Sequence, residues 1–342
     1  MLSARGIYLI TIPTMSLYLL KFKPRYLEKM WGGRKIETIL GKSLPPGKLI
    51  GESWELYDFP PGVADNSGQW LSSEVANGPL AGRTLHDLVQ EFSRDLVGNV
   101  PLVGAAGQFP ILIKFLDAAQ DLSLQVHPDH AYAAAHPEAH LKSEAWYIVQ
   151  ADPESRLLKD LKPGVTRETL HRAAKQKGAV DELICSVSVQ AGQSFYLPSG
   201  TVHALGAGIL AAEVQTPSDT TFRLFDFNRI DPTTGKLRGL HVDQAMACID
   251  FSSKPTPPTA GHVQCEYFHI ATVRTGAGAR PIAPEGPAVL LMIEGQAQAS
   301  AGPQTTHFAK GDTVLVPASV RGATLEATTE CLWLEVTFPV RH

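Results

Sequence analysis

Short apolar or alternating runs recur along the chain at 17–22, 109–115, 122–126, 145–149, 183–189, 194–197 and 209–214. Each is strand-length and is bounded by Gly, Pro, Asp or Ser, which predicts a protein built mainly from short β-strands. Two segments carry a different period. Residues 84–92 place Leu85, Leu88, Val89 and Phe92 at helical spacing. Residues 166–177 follow Pro163-Gly164 and open on Thr166, Glu168 and Thr169, the pattern of a helix start. The Ala- and His-rich piece 129–140 reads as a short helix or loop.

The pattern breaks near 251–258. Ser252-Ser-Lys-Pro-Thr-Pro-Pro258 can neither pair in a central strand nor continue a helix. A second set of strands follows at 267–273, 288–293, 313–316 and 331–338. The two halves echo each other. Gly192, a four-residue apolar stretch, Pro198 and Gly200 are repeated as Gly311, a similar stretch and Pro317, without the later glycine or a following histidine. The expected architecture is all-β dominated, in two related domains with a few added helices. Residues 1–14 form an extension, 15–251 one domain and 259–342 a second, degenerate one.

Composition narrows the class. The chain has 342 residues, 44% hydrophobic and 19% charged, which suits a soluble globular protein. A net charge of -4 with no basic block gives nucleic acid no footing as a partner. Cys185, Cys248, Cys265 and Cys331 are far apart and form no Cys-x-x-Cys, so reduced thiols in a cytoplasmic protein are expected. The apolar stretch 6–20 mimics a signal peptide. Pro13 interrupts it, no cleavage pattern follows, and it falls short of the ~20 apolar residues of a spanning helix. A non-essential extension, with Met15 as an alternative start, is the reading taken, and no membrane partner is expected.

Chemistry concentrates in the middle of the chain. Gln125 and His127 stand two apart in a strand-like run, so their side chains share one face. Downstream, Glu144 offers a carboxylate and His203 a second imidazole. These four can surround one divalent metal: two imidazoles, a carboxylate and an amide oxygen suit zinc or another borderline ion. Gln125, being neutral, is the weakest of the set and can instead orient water or substrate. His86, His171 and His262 read as ordinary structural or solvated residues, and His130, His136 and His140 as surface residues.

The spacing Gly192-x5-Pro198-x-Gly200-x2-His203 resembles the second motif of the cupin superfamily, small jelly-roll barrels that hold a metal inside, which implies two cupin-like jelly-roll domains here. A closer resemblance follows. Trp31-Gly32-Gly33, Leu122-Ser-Leu-Gln-Val-His-Pro128, Lys142-Ser-Glu-Ala-Trp146, Leu197-Pro-Ser-Gly-Thr-Val-His-Ala204 and Glu213-Val-Gln-Thr-Pro-Ser-Asp-Thr-Thr-Phe-Arg-Leu-Phe-Asp226 occur in order. Together they resemble class I mannose-6-phosphate isomerase in its short bacterial form. The resemblance runs from about Leu17 to the C-terminus and is strongest between Phe109 and Arg229. It implies interconversion of mannose 6-phosphate and fructose 6-phosphate with one zinc ion. It also implies Gln125, His127, Glu144 and His203 as the metal site, Arg223 as a catalytic arginine, and Trp31, Ser123, Lys142 and Glu213 as further active-site positions. Phe222, where Tyr is common, and Pro217 depart from the family pattern without touching a proposed ligand.

An aldose–ketose isomerase moves a proton between C1 and C2 and must stabilise an enediolate. Arg223 is too weak an acid to serve as base and instead faces negative charge, on the enediolate or on a phosphate. Glu213, between apolar neighbours, is the expected proton carrier if burial raises its pKa; a buried partner of Arg223 is its plainer role. Lys142, two residues before Glu144, shares that face and is assigned with Ser123 to phosphate or hydroxyl contacts. Trp31 and Trp146 can stack on a sugar ring or pack in a core. Two other classes fit parts of the pattern: a metal-dependent cupin dioxygenase, which leaves Gln125 and Arg223 without work, and a non-catalytic sugar-phosphate-binding cupin. A monomer or homodimer is expected.

Overall fold

The computed structural model describes residues 16–64, 68–104, 106–176, 178–232, 234–282 and 286–339; the extension expected over 1–14 lies outside them. The N-terminal half contributes eleven strands to two facing sheets. They are β1 (Arg25–Gly33), β2 (Ile50–Leu56), β3 (Leu112–Ala118), β4 (Leu124–Val126), β5 (Glu144–Ala151), β6 (Arg156–Leu161), β7 (Ile184–Ser188), β8 (Ser194–Leu197), β9 (His203–Leu205), β10 (Ile209–Gln215) and β11 (Phe222–Phe225). One sheet has the order β7-β6-β9-β4-β11 and the other β8-β5-β10-β3-β2-β1, with antiparallel pairing throughout.

Side-chain alternation divides the core. Trp146 and Ile148 of β5 and Ile209 and Ala211 of β10 turn into the space between the sheets, where they meet Trp31, Leu157, Phe195 and Leu205. Their neighbours Ala145, Tyr147, Leu210, Ala212 and Val214 turn the other way and are equally buried. They pack on Ile270, Leu291, Leu334 and Val336 from the C-terminal half and near the helix Leu85–Phe92. Both faces of this sheet are covered, so its central strands read as continuous apolar runs rather than as an alternating pattern.

The C-terminal half is a second sandwich. A six-stranded sheet faces a four-stranded one built from Gly278–Ile282, Gln296–Ala301, Gln304–Ala309 and Ala323–Ala327. The early strand Leu20–Lys21 belongs to the six-stranded sheet, pairing with Thr313–Val316. The internal echo has a structural counterpart. Gly192 and Gly311 both turn at φ near +90° (89° and 86°), each two residues before a four-residue strand ended by proline. Only glycine takes that backbone region at no steric cost.

Three of the helices open on a side-chain cap. Thr84 and Thr166 each accept from the backbone N–H three residues on, in reciprocal capping boxes with Asp87 and Thr169. Asp129 caps the short helix His130–Ala135 through Tyr132 N. No helix among the described residues is long and apolar enough to cross a membrane.

Candidate active site

The site lies between the two sheets of the N-terminal half, and strand register explains its composition. On one sheet His203 of β9 and Arg223 of β11 both stand opposite Gln125 of β4, so the three share a face. His127, just past the end of β4, extends the row. On the other sheet Glu213 of β10 stands opposite Lys114 of β3 and Trp146 of β5, while Glu144 begins β5. Parity aims Glu144, Glu213 and Lys114 at the facing sheet.

His127, Glu144 and His203 are fully buried and offer ligand atoms that all lie within 4.8 Å of one another. His203 Nε2 is 3.0 Å from Glu144 Oε1, and His127 Nε2 is 3.4 Å from Glu144 Oε2. The other ring nitrogens are committed: Nδ1 of His127 lies 3.0 Å from Thr220 O, and Nδ1 of His203 lies 2.9 Å from Thr201 O. A carbonyl only accepts, so each Nδ1 carries the proton and each Nε2 presents a lone pair. Burial, helped by nearby Lys142, pulls the His127 imidazole down to about 3, which keeps that ring neutral. Lone pairs on two imidazoles thus converge on a carboxylate with no proton between them. Among the described residues, His127 Nε2 and both Glu144 oxygens lack a hydrogen-bond partner, although the Lys142 ammonium stands 2.9 Å from Glu144 Oε2. Such a set of buried acceptors fits a cation, and the carbonyls behind the imidazoles are the support that metal-binding histidines use. Gln125 lies with its amide nitrogen 3.4 Å from His203 Nε2. A half-turn of the amide brings its oxygen to the same place.

Next to this cluster runs a row of alternating charge. Lys142 Nζ is 3.8 Å from Glu213 Oε1, and Glu213 Oε2 is 3.6 Å from Lys114 Nζ. Lys114 is 3.5 Å from Glu52 Oε2, and Glu52 Oε1 is 2.9 Å from Lys29 Nζ. The Trp54 indole donates to Glu52 Oε2 at 2.7 Å, and the Lys114 ammonium stands 5.2 Å from the centre of the Trp54 ring. Burial pushes the Glu213 carboxyl above the usual range, opposed by Lys114 and reinforced by Glu144. Burial also opposes the charge on Glu52, but Lys114, Lys29 and the indole together hold that carboxylate well below the usual range. For Lys114 the carboxylates Glu213 and Glu52 outweigh burial and raise its pKa. Burial raises the pKa of the nearby Asp219 carboxyl, opposed by Lys114, Lys142 and Lys29 and reinforced by Glu52.

Arg223 is only partly buried. Its Nη1 donates to Gly239 O at 2.8 Å, and its Nε has no hydrogen-bond partner among the described residues. Glu213, whose plainer expected role is to partner Arg223, does not hold it: Glu213 pairs with lysines, and Asp226 takes Arg229 and Arg238. Arg229 also donates to Asp121 O, which ties this basic group to the segment just before Ser123. Two guanidiniums on the one Asp226 carboxylate, with Arg223 nearby, leave an excess of positive charge on this side of the site. Ser123 is buried in that segment. Trp31 and Trp146 share the apolar cluster between the sheets, and the Trp146 ring meets His203 edge-on at 5.3 Å, so both pack as core walls of the site.

Lys114, Glu52, Lys29 and Asp219 escaped the sequence reading. A lysine inside Leu112-Ile-Lys-Phe was a usable signal, since a buried lysine requires a partner. Of the histidines set aside, His86 stacks on Trp70 at 3.6 Å, and His130 lies 3.2 Å from the Tyr267 hydroxyl.

A family model described as the catalytic domain of type I phosphomannose isomerase matches residues 19–156. The chain is 36% identical over 324 residues to the mannose-6-phosphate isomerase ManA of Bacillus subtilis, covering 91% of this chain and 96% of that protein. It is 31% identical over 316 residues to the mannose-6-phosphate isomerase of Streptococcus mutans, covering 89% and 94%. Among solved structures, the mannose 6-phosphate isomerase from Bacillus subtilis superposes with a TM-score of 0.79 at 29% identity, covering 94% of this chain and 99% of that one. A zinc-bound mannose 6-phosphate isomerase shares the fold at a TM-score of 0.70 and 16% identity, covering 94% and 100%.

Proposed function

Because the chain belongs to the type I mannose-6-phosphate isomerase family, we propose that its central cavity converts mannose 6-phosphate and fructose 6-phosphate by proton transfer between C1 and C2. The enzyme is an aldose–ketose isomerase. One observation carries the site assignment: three buried, mutually facing acceptors (His127, Glu144, His203) adjoin a carboxylate, Glu213, set between two lysines.

Zinc, one ion per chain, is the cofactor we assign to His127, Glu144, His203 and the turned amide of Gln125. A divalent ion there supplies Lewis-acid polarisation and orientation of the substrate oxygens. Glu213 takes the proton from one carbon and returns it to the other, and its raised pKa keeps both protonation states within reach near neutral pH. Lys142 and Lys114 set cationic charge beside the carbons where the enediolate develops. Arg223, with its Nε free of protein partners, faces anionic oxygen; with Ser123 and the Arg229–Arg238 pair it forms the side of the cavity suited to a phosphate dianion. Trp31 closes the apolar wall behind the sugar.

We further take 15–251 as the catalytic domain and 259–342 as a structural one. The four cysteines are free thiols, which supports a cytoplasmic location in this reading, and a monomer or homodimer is the assembly we propose.

Metal content of the purified protein, measured beside a coupled assay for fructose 6-phosphate, tests the reading. Zinc with isomerisation supports it. Iron with oxygen uptake points to a dioxygenase, and no turnover of any aldose phosphate points to a binding protein. Glu213→Gln tests the proton step separately, and near-normal turnover sinks that role.

A further inference from the structure

The row of alternating charge does not end inside the protein. It ends on β1, where the chain leaves regular pairing. Register with β2 shifts after Leu27 and again after Glu28, so that Glu28 and Gly33 both fall opposite Ile50. Residues 29–32 therefore bulge from the sheet edge. The bulge is seated on Gly51. A Cβ at Gly51 would lie 2.7 Å from Lys29 Cβ and Cγ and 2.7 Å from the Trp31 ring. A Cβ at Gly32 would lie 2.5 Å from the Gly51 backbone nitrogen. The notch left by two absent side chains thus fixes two others. Trp31 enters the apolar cluster between the sheets. The Lys29 stem runs over β2 and brings its ammonium 2.9 Å from Glu52 Oε1.

Glu52 then divides its two oxygens. Oε1 serves Lys29, while Oε2 accepts from Trp54 Nε1 and faces Lys114. Lys114 is held almost evenly, 3.5 Å from Glu52 and 3.6 Å from Glu213. Such a balance depends on how much of the Glu52 charge is already taken. Without Lys29, the whole carboxylate bears on Lys114 and draws its ammonium away from Glu213.

We propose that Lys29 is a positioning residue of the isomerase: through Glu52 it holds Lys114 against the proton-transferring carboxylate Glu213. The proposal rests on the reading of Glu213 given above. Lys29 itself, 35% exposed at its side chain, has its ammonium on Glu52 and acts through it.

The test is Lys29→Met, which keeps the aliphatic stem over Gly51 and removes the charge, beside Lys29→Arg, which restores a cation. Expected for Lys29→Met is a fall in kcat of roughly 10- to 100-fold, the scale of a displaced catalytic group. KM should stay within about threefold and the metal content should not change. Lys29→Arg should recover most of the loss, and a crystal structure of Lys29→Met should show the Lys114 ammonium shifted toward Glu52. Wild-type kcat in Lys29→Met, a loss confined to KM, or a Lys29→Arg variant as slow as Lys29→Met each overturns the proposal. If Lys29→Met does not fold, Lys29→Gln replaces it in the same comparison. If the wild-type protein isomerises nothing, the function reading has failed, and the crystal structure alone decides the proposal: an unmoved Lys114 overturns it.

Discussion

Lys114→Met probes the assignment of Glu213 from its opposite side. The variant leaves the carboxyl in place and removes one of its two ammonium neighbours. At an effective dielectric of about 20, unit charges 3.6 Å apart interact by roughly 4–5 kcal/mol. That is an upper bound, because Glu52 draws on the same ammonium and Lys142 remains 3.8 Å from the other Glu213 oxygen. A third of it still amounts to about one pKa unit. The sign is fixed. A base works in its ionised form, so activity rises as pH climbs through the Glu213 pKa, and Lys114 favours the ionised form. Its loss raises that pKa and moves the acid limb of the kcat profile to higher pH. The assay is the coupled formation of fructose 6-phosphate, followed across the pH range in which wild type and variant both stay folded by circular dichroism. We expect the limb to move upward by about one unit or more and activity at alkaline pH to recover in part. A profile that only drops, with its limb unmoved, refutes the assignment: Glu213 would not be the titrating base, and Lys114 would serve packing alone.

Other expectations follow from the same geometry. His203→Ala leaves two protein donors converging beside Gln125, so the variant should purify with far less than stoichiometric metal; full occupancy by elemental analysis would count against the cluster. Arg223→Ala should lower turnover strongly, and a change in apparent substrate affinity alone would make Arg223 a binding residue only. Thr84→Ala and Thr166→Ala each remove a helix cap and should cost about 1 kcal/mol in denaturant unfolding with kcat intact. Glu52 has a folded pKa depressed by its lysines. Its stabilisation is therefore present above the unfolded carboxylate value of about 4.3 and is lost as pH falls through the folded one, so Glu52→Gln should flatten the acid side of the stability profile.

The parts of the site visible in the sequence were those whose spacing carries geometry. Gln125 and His127 share a face because a strand repeats every two residues, and His203 follows a glycine–proline frame that the backbone obeys. The cationic half was not visible for the opposite reason. Lys114 lies in a run legible as a strand but apolar on both faces, so its partner was hidden, while Glu52 and Glu55 interrupt β2 and Arg25, Glu28 and Lys29 break up β1, so those two segments show no clean period. Their charges are satisfied only across strands: Lys114 meets Glu52 from β2 and Glu213 from β10. Pairing of that kind depends on sheet order, which local pattern does not contain. The same holds for β6 and β11, where Lys159, Asp160 and Arg223 obscured the strands. Of the run 17–22 only Leu20–Lys21 forms a strand, on the six-stranded sheet of the distant C-terminal half, while Phe22 makes a single bridge to Val75.

The two facing sheets separate two demands that conflict on one surface. Ligating a divalent ion calls for neutral imidazoles and an uncrowded carboxylate, whereas proton transfer beside an enediolate calls for cations. Here β4, β9 and β11 carry Gln125, His203 and Arg223, while β2, β3 and β10 carry Glu52, Lys114 and Glu213. Only β5 and the residues leading into it serve both, through Glu144 and the Lys142 that stands 2.9 Å from it. Lys142 is therefore the position where ligation and proton transfer should be coupled. Lys142→Met removes a cation that competes with the metal for Glu144 and also favours the ionised form of Glu213. Metal affinity should rise while kcat falls. A variant that loses both, with its fold intact by circular dichroism, would show that Lys142 holds Glu144 in place rather than competing for it.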